Sequence, residues 1–171
     1  KECFDKALSI EPNLFEALYS LAAFTMRDED FENALSFLNR VSISKLSPPR
    51  KAAIYWWKAN ALLRLRRYTE GIANAEDAIA NSPGSEWGWE TAGRLYALMR
   101  REDKRWLNPA LNFWQRFVAR HPNNAQAWVE LGYVCWSLRE SKGRDEFLHE
   151  GLNAFEKSIE LGLIDNGLAF D

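Results

Sequence analysis

At 171 residues, 47% of them hydrophobic and 27% charged, the chain has the size and composition of one folded, soluble domain with a substantial core. Its formal charge of −2 argues against a general polyanion binder, which needs an excess of Lys and Arg. Eight Trp and 13% aromatic residues are unusual, and suit wide gaps between packed helices that flat rings can fill.

Strand signals are nearly absent, and apolar residues recur at three and four, the spacing of a helix face. Residues 1–11 read as a second helix without its first: Phe4, Ala7, Leu8 and Ile10 keep the spacing and Pro12 closes it. The spacing predicts a first helix pair at 14–27 and 30–43, with Leu14, Leu18, Leu21 and Ala22 on one face and Phe31, Ala34, Leu35, Leu38 and Val41 on the other. Arg27-Asp28-Glu29-Asp30 forms the polar turn between them and supplies an Asp N-cap. Two prolines in Ser47-Pro48-Pro49 interrupt the helical pattern, so the second pair is placed at 51–65 and 68–81 and closes at Ser82-Pro83-Gly84-Ser85. A third pair covers 86–100 and 105–120, ending at His121-Pro122-Asn123-Asn124; a fourth covers 125–139 and 145–161, ending near Gly162. Loops inside the last two pairs are expected to lengthen, around Glu102–Lys104 and Glu140–Arg144.

Small residues mark the helix contacts. Ala34, Gly71, Ala110 and Gly151 recur 37, 39 and 41 residues apart, and each is followed four residues later by an apolar residue, Leu38, Ala75, Trp114 and Phe155. Recurrence at that period marks a stack of helical units, each too small to bury its own apolar face. Such a stack offers a long surface and no enclosed reaction chamber.

These residues resemble the tetratricopeptide repeat, whose signature is Trp, Leu-Gly and Tyr on a first helix, then Ala, Phe or Tyr, and Pro on a second. One unit carries Trp128, Leu131-Gly132, Gly151, Phe155 and Ser158; the preceding one carries Trp89, Ala92-Gly93, Tyr96, Ala110, Trp114 and Pro122. Earlier units carry Tyr55, Ala59, Leu62, Tyr68, Gly71, Ala75, Ala78 and Pro83, then Leu18, Leu21-Ala22, Phe31, Ala34, Leu38 and Val41. The period departs from the family's: Tyr55 to Trp89 is 34 residues, but Trp89 to Trp128 is 39. The resemblance implies an all-α fold, an α-α superhelix built as a right-handed solenoid of antiparallel helix pairs. It implies one domain, 1–171, made of units 14–46, 51–83, 86–122 and 125–162. A half unit at 1–13 leads, and a further unit starts at 163–171. With both edges cutting through a repeat, a segment of a longer protein is expected.

The resemblance also implies that first helices line a concave groove. Beside the packing positions lie Tyr19, Ala23 and Met26, then Trp56, Asn60 and Leu63, then Trp87, Glu90 and Arg94, and finally Val129, Tyr133 and Trp136. Tyr, Trp and Arg are the residue types that most often anchor an interface. Stacked units also bury rings as plain core, so each aromatic carries both readings. Trp56 and Trp57 are a special case: adjacent helical residues point about 100° apart, so one is expected to be partly exposed, with Trp56 the choice. The clamp of Lys, Asn and Arg by which some family members hold a terminal carboxylate is not reproduced; its Lys and Asn places read Tyr19/Ala23 and Trp56/Asn60, and later basic places read Gln126 and Glu130.

Arg27, Arg64, Arg66, Arg67, Arg100, Arg101 and Arg139 gather at the ends of first helices, where cations complement the helix dipole. Interleaved Asp28, Glu70 and Glu102 favour that role over a basic ridge for RNA, so no nucleic acid is expected. His149 with Glu146 and Glu150 does not converge on one ion, because neighbours on a helix face different directions. There is no Gly-rich phosphate loop and no Gly-x-Ser-x-Gly elbow. Neither catalysis, cofactor, metal nor membrane span is expected. Cys3 and Cys135, far apart and outside any CxxC, suggest a reducing compartment such as the cytoplasm. The leading expectation is a protein-interaction scaffold that captures a partner's peptide or helical segment in the groove. A docking or regulatory part of a larger enzyme such as a transferase, and an RNA-associated helical array, are the alternatives.

Overall fold

The computed structural model describes residues 2–11, 14–143 and 145–162. Pro12, Arg144 and the further unit expected at 163–171 lie outside the described residues. The described residues contain no strand; they form α1 (Glu2–Ile10), α2 (Phe15–Arg27), α3 (Phe31–Arg40), α4 (Pro48–Arg64), α5 (Tyr68–Asn81), α6 (Glu86–Glu102), α7 (Leu107–Arg120), α8 (Ala125–Lys142) and α9 (Glu146–Glu160). Short 3-10 helices at Ile43–Lys45 and Lys104–Trp106 precede α4 and α7. The fold class is all-α. Packing divides the chain into two compact units, Lys1–Leu95 and Tyr96–Asp171, with the division inside α6.

In the first unit, Leu18, Ala22, Leu38, Val41 and Ile54 form one buried cluster from α2, the α3 end and α4, edged by Leu8, Phe15, Tyr19 and Trp57. Leu35, Ala61 and Leu62 form another, edged by Met26, Phe31 and Leu65. The small residues are the closest points. Ala34 is fully buried, and a methyl group added at Gly71 would lie 3.1 Å from a Leu95 methyl carbon and 3.6 Å from the Ala59 carbonyl oxygen.

In the second unit Tyr96 stacks on Phe113 at 4.6 Å and Trp114 on Phe117 at 5.5 Å. Here α8 and α9 approach through a pair of glycines. A Cβ at Gly151 would lie 3.2 Å from that of Cys135 and 3.5 Å from the Gly132 carbonyl oxygen, and one at Gly132 would strike the Phe155 ring at 2.6 Å.

Two local expectations change. The second pair does not start after its prolines but on them: Pro48 and Pro49 occupy the first turn of α4, where backbone N–H groups have no helical acceptor and their loss is harmless. The longer loop expected inside the third pair holds, residues 103–106 with their 3-10 helix against three residues in the earlier pairs, whereas in the fourth pair the extra residues extend α8 to Lys142. Asp30 does cap α3, accepting from Asn33 N at 3.3 Å.

The turns inside the first two pairs are alike. Glu29 and Arg66 sit in left-handed backbone, at φ 60° and 59°. Asp30 N donates to Thr25 O at 2.8 Å and Arg67 N to Leu62 O at 2.9 Å, while Glu29 N and Arg66 N donate to Met26 O and Leu63 O. That is the Schellman pattern, whose left-handed position glycine fills without a steric penalty. Arg66 is exposed. Arg66→Gly should therefore stabilise the protein by about 0.5–1 kcal/mol, measured by urea unfolding; a loss of stability would show that the left-handed turn is unstrained.

Candidate functional site

The first helices of the first unit carry a run of aromatic contacts. Phe15 stacks on Tyr19 at 5.7 Å, Tyr19 meets Trp57 edge-on at 6.4 Å, Trp57 meets Trp56 at 4.9 Å, and Trp56 lies 5.6 Å from Trp87. Trp57 Nε1 donates to the Tyr19 hydroxyl at 3.0 Å. The divergence of adjacent helical side chains sends Trp57 toward α2 and Trp56 toward α6. Both are half-buried, and Trp87 is the exposed ring of the run, at 63% exposure.

Beside this run lies a cleft of about 320 Å³ lined by Ala23, Met26, Arg27, Glu29, Phe31, Trp57, Asn60, Leu63, Arg64 and Arg94. It unites Ala23, Met26, Asn60, Leu63 and Arg94, five of the residues expected to line the groove. Trp56, Tyr19 and Trp87 belong to the aromatic run instead, and Glu90 is exposed one turn before Arg94. Trp57, Arg64 and Phe31 were not in the sequence-based set. The signal for Trp57 was present, since Trp57, Asn60 and Arg64 share one face at i, i+3 and i+7.

Asn60 is held by its own neighbours. Its Nδ2 donates to Trp56 O at 2.8 Å and to Thr91 Oγ1 at 3.3 Å. Arg64 donates to Glu29 at 3.2 Å and lies 4.9 Å over the Phe31 ring, while Arg27 is 3.6 Å from Asp28 and 5.3 Å from the Phe24 ring. Arg94 forms no hydrogen bond or ion pair among the described residues.

In the second unit Val129 is buried with the core and offers no surface. Tyr133 is half-buried, edge-on to Phe155 at 5.4 Å. Trp136 is 44% exposed, donates to Glu140 at 2.9 Å, and lies beneath Arg139 at 5.7 Å.

Several helix-end arginines are engaged by acids. Arg67 bonds Glu70 at 2.7 Å, and that bond holds the Glu70 carboxyl below its ordinary range. Arg100 is no part of an exposed ridge: it bonds Glu130 at 3.0 Å with side chains 8% and 15% exposed.

Among the described residues no group of three or more His, Cys, Asp or Glu is placed to hold a metal ion. None of their helices is long and apolar enough to cross a membrane. Cys3 is exposed, whereas Cys135 is buried against α9, where burial and the neighbouring Glu150 push its thiol up to about 12.

The arrangement is that of a helix-pair repeat protein. The family model described as tetratricopeptide repeat matches residues 26–86, and the resemblance read from the sequence holds. No curated protein sequence matches the chain. Among solved structures, a MamA protein is similar at 19% identity and a TM-score of 0.72, over 94% of this chain and 79% of that one. YrrB, described as a TPR protein with an unusual peptide-binding site, is similar at 16% identity and a TM-score of 0.70, over 93% and 74%. TTC0263, a thermophilic TPR protein in Thermus thermophilus, follows at 18% identity and a TM-score of 0.53, over 86% and 82%. At such identities the likeness is one of fold.

Two expectations follow. Breaking the buried pair by Arg100→Met or Glu130→Met should cost about 3 kcal/mol, while the double change costs far less, in a double-mutant cycle by urea unfolding. At pH 8 a thiol reagent should modify Cys3 at once and Cys135 only in denaturant. Because the folded thiol pKa lies above the unfolded one, its contribution is complete at neutral pH. That contribution is lost as pH rises from about 9 toward 12. Rapid labelling of both cysteines in the native protein would contradict this.

Proposed function

We propose that the chain is a non-catalytic protein-interaction module that captures a peptide or helical segment of a partner on the first-helix face of its first unit. The observation that carries this reading is the aromatic run from Tyr19 through Trp57 and Trp56 to Trp87, beside the cleft at Met26, Asn60, Leu63 and Arg94. Isolated surface rings are ordinary, but contiguous Trp rings at the rim of a cleft are the makings of an interface hot spot. Rigid rings also bind at small entropic cost, because their contacts with one another already fix their rotamers. The peptide-binding site described for YrrB lends this reading support by analogy of fold. Tyr133 and Trp136 of the second unit are proposed as a further contact surface, with Trp136 the exposed ring.

A basic RNA-binding edge finds little support here, since Arg64, Arg67 and Arg100 already pair with carboxylates. The test is affinity capture on the intact chain and on its Trp56→Ala variant, followed by titration of each captured protein. Trp56→Ala should weaken binding by about 2 kcal/mol or more with the helical circular dichroism retained. Equal affinity for both folded proteins would remove the aromatic run from the binding face.

A further inference from the structure

The cleft of the first unit has a definite chemical polarity. Asn60 has engaged both amide hydrogens, one with Trp56 O at 2.8 Å and one with Thr91 Oγ1 at 3.3 Å. A main-chain carbonyl only accepts, so the group facing Trp56 O is the NH2, and what Asn60 has left is its Oδ1 acceptor. Arg94, exposed on the next first helix, is a cation without a partner among the described residues; Glu90, one turn earlier, does not engage it. The other two arginines of the cleft are already tied to Glu29 and Asp28. With those two neutralised, Arg94 is the unpaired cation of the lining, in a chain whose net charge is −2. Between these polar groups the wall is apolar: Met26, Leu63 and the Trp57 ring.

We propose that this cleft receives an internal acidic residue of a partner peptide, flanked by apolar side chains. Arg94 pairs with the carboxylate, Asn60 Oδ1 accepts an adjacent backbone N–H, and the apolar neighbours lie against Met26 and Trp57. This narrows the peptide-binding reading above and rests on it. A terminal carboxylate held by Asn would need the amide hydrogens that Trp56 and Thr91 already take. An internal segment instead supplies the N–H that Oδ1 lacks, together with the charge that Arg94 lacks.

The test pans a phage-displayed library of random short peptides, fused so that neither end is a free carboxylate, on the intact chain. The enriched sequences should place Asp or Glu beside Leu, Ile or Phe. An end-capped synthetic copy should bind Arg94→Glu about tenfold or more weakly, and replacing its acid by Lys should restore binding to that variant. It should also lose affinity for Trp56→Ala. Enriched peptides without an acid, or indifferent to Arg94→Glu while still sensitive to Trp56→Ala, would overturn the acidic-residue assignment and leave the groove intact. Peptides indifferent to Trp56→Ala would overturn the groove itself. Failure to enrich any peptide, with retention of a single-stranded RNA oligonucleotide instead, would overturn both.

Discussion

Close approach of one helix to the next is the constraint on which everything else rests. A helix of this length cannot bury its apolar stripe alone, so each must lie against neighbours, and the separation is set by the smallest residue at the crossing. Gly71 sits where a Cβ would press on Leu95, and Gly151 where it would press on Cys135. Ala34 and Ala110 are fully buried at the equivalent places. Large neighbours then close over these points, which is why Leu38, Trp114 and Phe113 pack with almost no exposure.

Short-range devices set the direction in which each helix starts and stops. Trp89 Nε1 donates to Pro83 O at 3.0 Å, and Trp128 Nε1 to Pro122 O at 2.8 Å, across the same interval of six residues. One proline thus does two things, ending a helix and presenting a carbonyl to the indole of the next. The indole in turn is anchored by its polar end while its rings pack. Inside the first two pairs, the left-handed turns at Glu29 and Arg66 redirect the chain within three residues. Glu29 also reaches Arg64, so the same turn that reverses the chain fixes one cation at the cleft.

The polar groups of the cleft differ in how far they are committed. Arg27 and Arg64 are tied to acids, Asn60 keeps only an acceptor, and Arg94 keeps its whole guanidinium. Internal commitment makes a group rigid but removes it from recognition; specificity comes from what remains unpaired. In the second unit the Arg100–Glu130 pair is an extreme of commitment. Glu130 stands at a place where the carboxylate clamp would need a base, and its charge is satisfied by a buried neighbour.

The sequence by itself determined the helix pairs, their order and the small-residue contacts, because spacing at three and four, prolines and glycines act within a few residues of themselves. It also placed Met26, Asn60, Leu63 and Arg94 on one side of their helices, and the structure lines the cleft with all four. Only the tertiary structure decided how far each ring is buried. Trp56 and Trp57 differ by one position, yet their partners lie 31 and 38 residues away, at Trp87 and Tyr19. Val129 looked like a surface residue by register and is core, because burial depends on what another helix brings to that face. The engaged amide of Asn60 needed Thr91, from a different helix, to become visible. Periodicity is a local property and can be read along the chain; the state of a hydrogen bond between helices exists only once they have packed.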